Sequence, residues 1–455
     1  MDFLDKIVIP PSANHVLLVK YILTISFVLF IPYLGMVLGS SFLSVYFNRL
    51  GRKTGNAIFT RFAKDVIEKL TFARNAKYAL GIIPMLSISF GYAQLLFEAK
   101  TITMSIMALS VLLVTIGLVT VYRYRSTFLI EDVLNSYKKI FDINTVTPGN
   151  ESVEQIKDYE ENLLSSSSRL GTIGSYILLT GAYIFIGCAA LASNPLQWGN
   201  VNNILQIIFS WNTIFSFMYF LASAGVVTGG GILFFFFKWD GGLPHMDENY
   251  GKFVKAIAGR LTFASVIFIP LLMLVKFLYL PGMAQSQSLF IYMLLTFVVV
   301  LILCNLVYSM VRNSDTNNVT AIFILIYIVF TLGILNDQIA LGSAITDQTR
   351  EVVEKSEALE KEVKLKTMTT SDVDPDAIFN SKCIACHRFD VKLVGPPYNE
   401  TVPTFHGDVQ ALADFIYSPS STPKNAGYPA MPNQGLKKKE AQAMAKWLMD
   451  KVGKK

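Results

Sequence analysis

The sequence predicts an all-α protein: a bundle of eight membrane-crossing helices, a charged helical stalk, and a small helical domain at the C-terminal end. Three observations carry this. Apolar runs of about 20 residues, the length that crosses a bilayer as a helix, occur eight times before residue 342. Lysine and arginine crowd into alternate loops, the pattern that orients such helices. Beyond residue 341 the sequence turns abruptly charged and then mixed in composition, as in a domain that folds in water. The expected division is 1–341 for the membrane part, 342–369 for a helical linker and 370–455 for the terminal domain.

Bulk composition agrees with a membrane protein. The chain is 52% hydrophobic and 16% charged, with a mean hydropathy of +0.45, whereas a soluble domain carries roughly 25% charged residues. Phenylalanine (33) and tyrosine (20) are abundant, as in lipid-facing and interfacial helices. The net charge of +6 comes from the loop asymmetry, so the expected environment is a lipid bilayer and no nucleic-acid partner.

The apolar runs span 16–43, 78–97, 101–122, 170–192, 204–237, 261–281, 288–311 and 319–341. The first and fifth are overlong. The fifth holds Gly229, Gly230 and Gly231, where a kink is expected, and it reads as one long helix. One set of loops carries nineteen lysines and arginines, within 49–77, 123–169 and 238–260 and at Arg312; the opposite set has only Lys6 and Lys100. By the positive-inside rule the basic loops are cytoplasmic and the N-terminus lies outside. Eight crossings return the chain to the outside at residue 342. Residues 1–14 are short and nearly neutral, and the first apolar run is too long for the core of a signal peptide, so no cleaved leader is expected.

Polar residues near the ends of the runs are few. Lys276 sits near an outer helix end, where its stem is expected to snorkel. Glu98, Asn336 and Asp337 lie near outer ends and read as interfacial groups, with the alternative of accepting protons from a quinol. The histidines number four: His15, His245, His387 and His406. A bis-histidine b haem needs two at similar depth on facing helices. His15 and His245 fall on opposite sides, so no haem b is expected in the membrane part. In the stalk, Glu351–Lys355, Glu357–Lys361, Glu360–Lys364 and Glu362–Lys366 are i,i+4 pairs in the favourable order. They predict a solvated helix that continues the last span as a semi-rigid spacer.

Chemistry is concentrated at Cys383-Ile384-Ala385-Cys386-His387. A CxxCH run is the attachment signature of a c-type haem: two thiols bond the haem vinyl groups and the adjacent histidine ligates the iron. A zinc site needs a second pair of ligands at matching spacing, and the other cysteines, Cys188 and Cys304, lie inside apolar runs. A dithiol redox motif has no need of His387. One covalent haem c is therefore expected, on the outer side where such haems are attached, the same side that the loop charges require.

Residues 370–455 resemble a small class I cytochrome c. A helix from Pro375 to Ser381 leads into the CxxCH run, Val394-Gly395-Pro396-Pro397 is similar to the family's Gly-Pro turn, and Tyr428-Pro429-Ala430-Met431-Pro432 is similar to its distal Met-Pro segment. The resemblance implies that the Pro396 carbonyl accepts the His387 ring N–H, that His387 and Met431 are the two iron ligands, and that a terminal helix, Lys438 to Lys451, packs on the first. His406, Met444 and Met449 are the other candidates for the sixth ligand. His406 reads as a loop residue before a helix at Asp408 to Tyr417, and the two methionines read as core. Lys437, Lys438 and Lys439 read as a solvated helix start, with docking of an acidic partner as the alternative.

The membrane part more loosely resembles subunit I of the cytochrome bd quinol oxidases. A long first helix runs into a basic amphipathic segment (Arg49 to Lys77), and a Thr-Gly-rich stretch, Val226 to Gly231, lies in the fifth. The chain departs from that family: no histidine lies in the fifth helix, only His15 could stand for the first-helix ligand, and the loop Met283 to Ser288 is too short for a quinol-binding loop. The implied relative has lost its b and d haems and gained a c haem. The expectation is a membrane-anchored monohaem cytochrome in the bacterial inner membrane. It would act as an electron-transfer component of a respiratory oxidoreductase complex, beside other subunits and a redox partner on the outer face. The alternative is a quinol–cytochrome c oxidoreductase reducing its own haem.

Overall fold

The computed structural model describes residues 10–140, 151–243, 246–313, 315–369, 373–420 and 427–453. His245 and Lys6 lie outside them. Two compact units are present, residues 1–356 and 357–455, and among the described residues there is no strand. Among the described residues of the first unit, eight helices are long and apolar enough to cross a membrane. A bilayer core offers the backbone no water, so each span satisfies its amides within its own helix.

The first helix, α1 (Ala13–Thr54), starts at Ser12, whose hydroxyl accepts from the His15 amide, and stops at Gly55 with φ 68°. Its length is explained by its ends: it runs past the apolar stretch to Arg49, Arg52 and Lys53. Next, α2 (Ala57–Leu70) is the basic amphipathic segment. It turns Phe62, Ala63, Val66, Ile67 and Leu70 into the core, while Arg61 and Lys64 pair with Asp247 and Asp132. Three basic loops thus meet at one end of the bundle, as the charge pattern predicts. The second span, α3 (Lys77–Leu95), opens with a π-helical turn at Lys77–Ile82. Then come α4 (Thr103–Ile140) and α5 (Glu151–Ala192).

The run at 204–237 is not one helix. A short α6 (Ile204–Ile208) ends at Phe209, and α7 (Trp211–Phe237) starts after Ser210. Apolarity hides the break because Phe209 and Trp211 are themselves apolar, and both are exposed. Nor do the three glycines interrupt α7, whose backbone stays helical through them. They serve close packing: a Cβ on Gly229 would lie 2.9 Å from the Ala258 carbonyl oxygen and 2.3 Å from Thr262 Oγ1.

The remaining spans are α8 (Glu248–Leu278), α9 (Gln287–Asn313) and α10 (Val319–Ala344). On α9, Ile291, Leu294, Val298 and Leu301 are exposed, as suits a lipid-facing surface. The stalk helix, α11 (Thr346–Thr369), does not simply extend α10. Ile345 interposes a turn and is fully buried. The start of α11 is held rather than solvated: Gln348 donates to the Phe97 carbonyl at 2.7 Å, Lys355 pairs with Glu98, and Val352 is buried. Of the expected stalk pairs, Glu351–Lys355 forms at 2.9 Å.

In the second unit, α12 (Pro375–Ile378) is capped by Asp374 and continues as a π turn, Phe379–Cys383. A short α13 (Tyr398–Thr401), α14 (Val409–Tyr417) and α15 (Lys438–Val452) complete it. The terminal helix meets the first as expected. Trp447 Nε1 donates to Asp376 Oδ2 at 3.1 Å, and the Trp447 and Phe379 rings lie 5.2 Å apart. The core gathers Phe379, Leu412, Ile416, Leu436, Met444 and Leu448.

Candidate functional site: the CxxCH crevice

The CxxCH run sits where the π turn of α12 ends. The amides of Cys386 and His387 both donate to the Cys383 carbonyl, at 3.1 and 2.9 Å. This tight turn directs both cysteines and the histidine from one short segment. Cys383 and Cys386 form no disulfide. Burial pushes the Cys383 thiol above its usual range, against a hydrogen bond with Tyr398 that pulls the other way.

The 394–399 segment is stitched to this turn. Gly395 donates to the Cys386 carbonyl at 2.7 Å, Tyr398 to the Arg388 carbonyl at 3.0 Å, and Asn399 to the Phe389 carbonyl at 3.1 Å. The register puts the Pro396 carbonyl 2.9 Å from His387 Nδ1. A carbonyl only accepts, so Nδ1 carries the proton and Nε2 keeps a free lone pair. Gly395 is required by the approach: a Cβ there would lie 2.3 Å from His387 Cε1.

A crevice of about 880 Å³ opens beside this turn. Cys383, His387, Pro396 and Met431 all line it, with Leu412, Ile416, Leu436 and Met444 as apolar wall. A second lobe of about 480 Å³ adds Cys386 and Gly395 and again includes His387 and Met431. The five residues singled out from the sequence, Cys383, Cys386, His387, Pro396 and Met431, are therefore brought to one place across 48 residues of chain. A c haem fits this set, since Cys383 and Cys386 would attach it and His387 and Met431 would bind its iron: paired thiols, an imidazole with its outer nitrogen free, a thioether sulfur and apolar walls. When bound, a c haem supplies one-electron redox chemistry.

The structure places the other ligand candidates in different settings. His406 is exposed in a left-handed turn with φ 47° and does not line either lobe. Met444 is fully buried on α15, in the wall, and Met449 packs against the same core. Lys437 to Lys439 are exposed at the start of α15, where the Lys437 amide donates to Glu440 at 2.7 Å. Sequence reasoning missed Tyr398. Its ring stacks on His387 at 4.9 Å and 23°, and it is buried. Burial, with the Cys383 thiol next, raises its phenol far above the ordinary tyrosine value. Only its place two residues after Pro396 hinted at this.

In the membrane unit His15 is exposed on the first turn of α1, and among the described residues no histidine lines the three cavities of about 970, 370 and 660 Å³ found there. Among the described residues no group of three or more His, Cys, Asp or Glu is arranged to hold a metal ion. Lys276 does not snorkel alone: its ammonium pairs with Asp337 at 2.6 Å.

The chain is similar to cytochrome c-551 of Pseudomonas aeruginosa, 35% identical over 78 residues that make up 17% of this chain and 75% of that protein. It is also similar to cytochrome c-551 of Pseudomonas denitrificans, 30% identical over 76 residues, 16% of this chain and 93% of the relative. No family model and no solved structure matches. Identity at this level, over most of each relative's length and joined to a CxxCH crevice, supports an electron-transfer role and implies haem c; the chain contains a class I c-type cytochrome domain and belongs to that family.

Proposed function

We propose that the chain is a membrane-anchored monohaem c-type cytochrome, the electron-transfer subunit of a respiratory membrane complex. In this reading Cys383 and Cys386 carry the haem through thioethers, and His387 and Met431 bind its iron. The Pro396 carbonyl holds the His387 ring in place. The observation that carries the reading is the hydrogen bond from His387 Nδ1 to the Pro396 carbonyl at 2.9 Å, with Met431 lining the same crevice. That bond fixes the tautomer and the ring angle and raises ligand basicity.

The eight spans anchor the domain in the bacterial cytoplasmic membrane and offer surface to neighbouring subunits. The loop-charge pattern supports an outer position for the haem domain, where a soluble partner would exchange electrons with it. One haem carries one electron at a time, so the chain works as a relay between a membrane complex and that partner. The membrane part then stands as a cytochrome bd-like scaffold without haem b.

Ligand exchange at the sixth position tests this. Met/His ligation raises a haem potential. Met431→His should lower the midpoint potential and abolish the methionine–iron charge-transfer band, with covalent haem retained. An unchanged potential and band would remove Met431 from the ligand set and leave the sixth position to another residue.

A further inference from the structure

Met431 sits on a stretch with neither helix nor strand, Gly427 to Leu436. Left-handed turns at Gly427 (φ 88°) and Gly435 (φ 65°) begin and end it. Its internal hydrogen bonds are local: Gln434 Nε2 donates to the Pro432 carbonyl at 3.1 Å, and the Gly435 amide to Asn433 Oδ1 at 2.8 Å. These bonds shape the loop but do not fasten it to the rest of the unit. An exposed loop without a backbone ladder opens at little cost, so an iron ligand carried there needs holding from outside.

Two lysines reach the loop from the segment that carries His387. Lys382, next to Cys383, donates from Nζ to the Gln434 carbonyl at 3.0 Å. Lys392, between His387 and Gly395, holds its Nζ 4.6 Å from the centre of the Tyr428 ring. Tyr428 and Gln434 stand three residues before and three residues after Met431, so the contacts grip both flanks of the ligand. Lys382, Met431 and Gln434 line one lobe of the crevice, and Tyr428 lines the other. Both lysines are exposed, and each contact alone is weak. Their placement gives them leverage: each stabilises the closed loop and adds nothing to an open one.

We propose that Lys382 and Lys392 are positioning residues that clamp the Met431 loop shut, one on each side of the ligand. The inference rests on Met431 as the sixth iron ligand and deepens that reading by naming what keeps it in place. With either contact removed, Met431 leaves its position more often, and the open position accepts a small nitrogen ligand from solution. The two contacts differ in chemistry. Lys392 works through the face of an aromatic ring, so arginine can replace it and neutral glutamine cannot. Lys382 works as a donor to a carbonyl, which methionine, of similar length, cannot be.

The test is an imidazole titration of the full-length, haem-loaded ferric protein in detergent, followed by loss of the methionine–iron charge-transfer band. Lys392→Gln and Tyr428→Leu should each raise imidazole affinity about threefold, the worth of an exposed cation–π contact. Their double variant should rise no further, because both remove one contact. Lys392→Arg should stay near wild type. Lys382→Met should also raise affinity about threefold, and with Lys392→Gln about tenfold, since the two contacts are separate. Covalent haem content and unfolding temperature report that each variant has folded. A wild-type band with wild-type affinity in Lys392→Gln, Tyr428→Leu and Lys382→Met would overturn the clamp and leave Met431 as ligand. An equal rise in Lys392→Arg and Lys392→Gln would overturn the aromatic contact. A wild-type protein without the band would overturn the ligand reading and the clamp with it.

Discussion

At Gly395 the backbone passes so close to His387 that any side chain would strike the ring. Gly395→Ala should push the imidazole from the Pro396 carbonyl. A cost of about 1–3 kcal/mol in domain stability is expected, as for overpacking a filled site, with a fall in covalent haem per chain. Thermal unfolding and haem absorbance on the same samples check both; full loading at wild-type stability would show that the contact is relaxed in solution. Residues of this kind were legible because the chemistry is local: CxxCH, Gly395-Pro396 and Met431-Pro432 are short runs. Tyr398 was not, because its stacking on His387 is made by the fold. The Lys276–Asp337 pair joins residues 61 apart, and no pattern in either helix announces it.

Among the elements, the long spans were read directly from their apolarity, and their ends were not. The basic extension of α1 keeps the helix going after the apolar run has ended, and the break before α7 sits where hydropathy changes little but turn geometry changes the backbone. The glycine triplet of α7 was read as a kink and proves to be a packing seam. Gly229→Val should force α7 from α8 and cost about 1–3 kcal/mol, seen as a lowered unfolding temperature of the membrane unit in detergent. An unchanged temperature would mean that the helices separate freely. The amphipathic α2 adds a pH signature. Burial, the largest influence on Asp65, raises its carboxyl above the ordinary range despite a hydrogen bond from Tyr250 at 2.6 Å and the nearby Arg61. The folded state therefore holds this proton more tightly than the unfolded one. Its contribution to stability is full below the unfolded value of about 3.9 and is lost as pH rises through the higher folded value. Asp65→Asn should flatten the stability curve from about pH 4 upward, measured as unfolding temperature against pH. A curve that keeps its slope would assign the titration to another group, such as Glu68, also raised by burial.

At the scale of the whole molecule, the chain combines a polytopic helical unit with a second unit holding one CxxCH crevice. The sequence reading sets a helical linker at 342–369 between the two parts, and the compact units divide within that stretch, between Ser356 and Glu357. The start of α11 goes with the first unit because Gln348 and Lys355 tie it to the Phe97–Glu98 loop and Val352 is buried, although its charge made it look solvated. The central claim is that this whole assembly carries one haem, covalently, at Cys383 and Cys386. A pyridine haemochrome assay on the purified full-length chain tests it most directly. The account predicts one c haem and no b haem per polypeptide, and no covalent haem in Cys383→Ala/Cys386→Ala. A chain without covalent haem, or with a stoichiometric b or d haem, would contradict it.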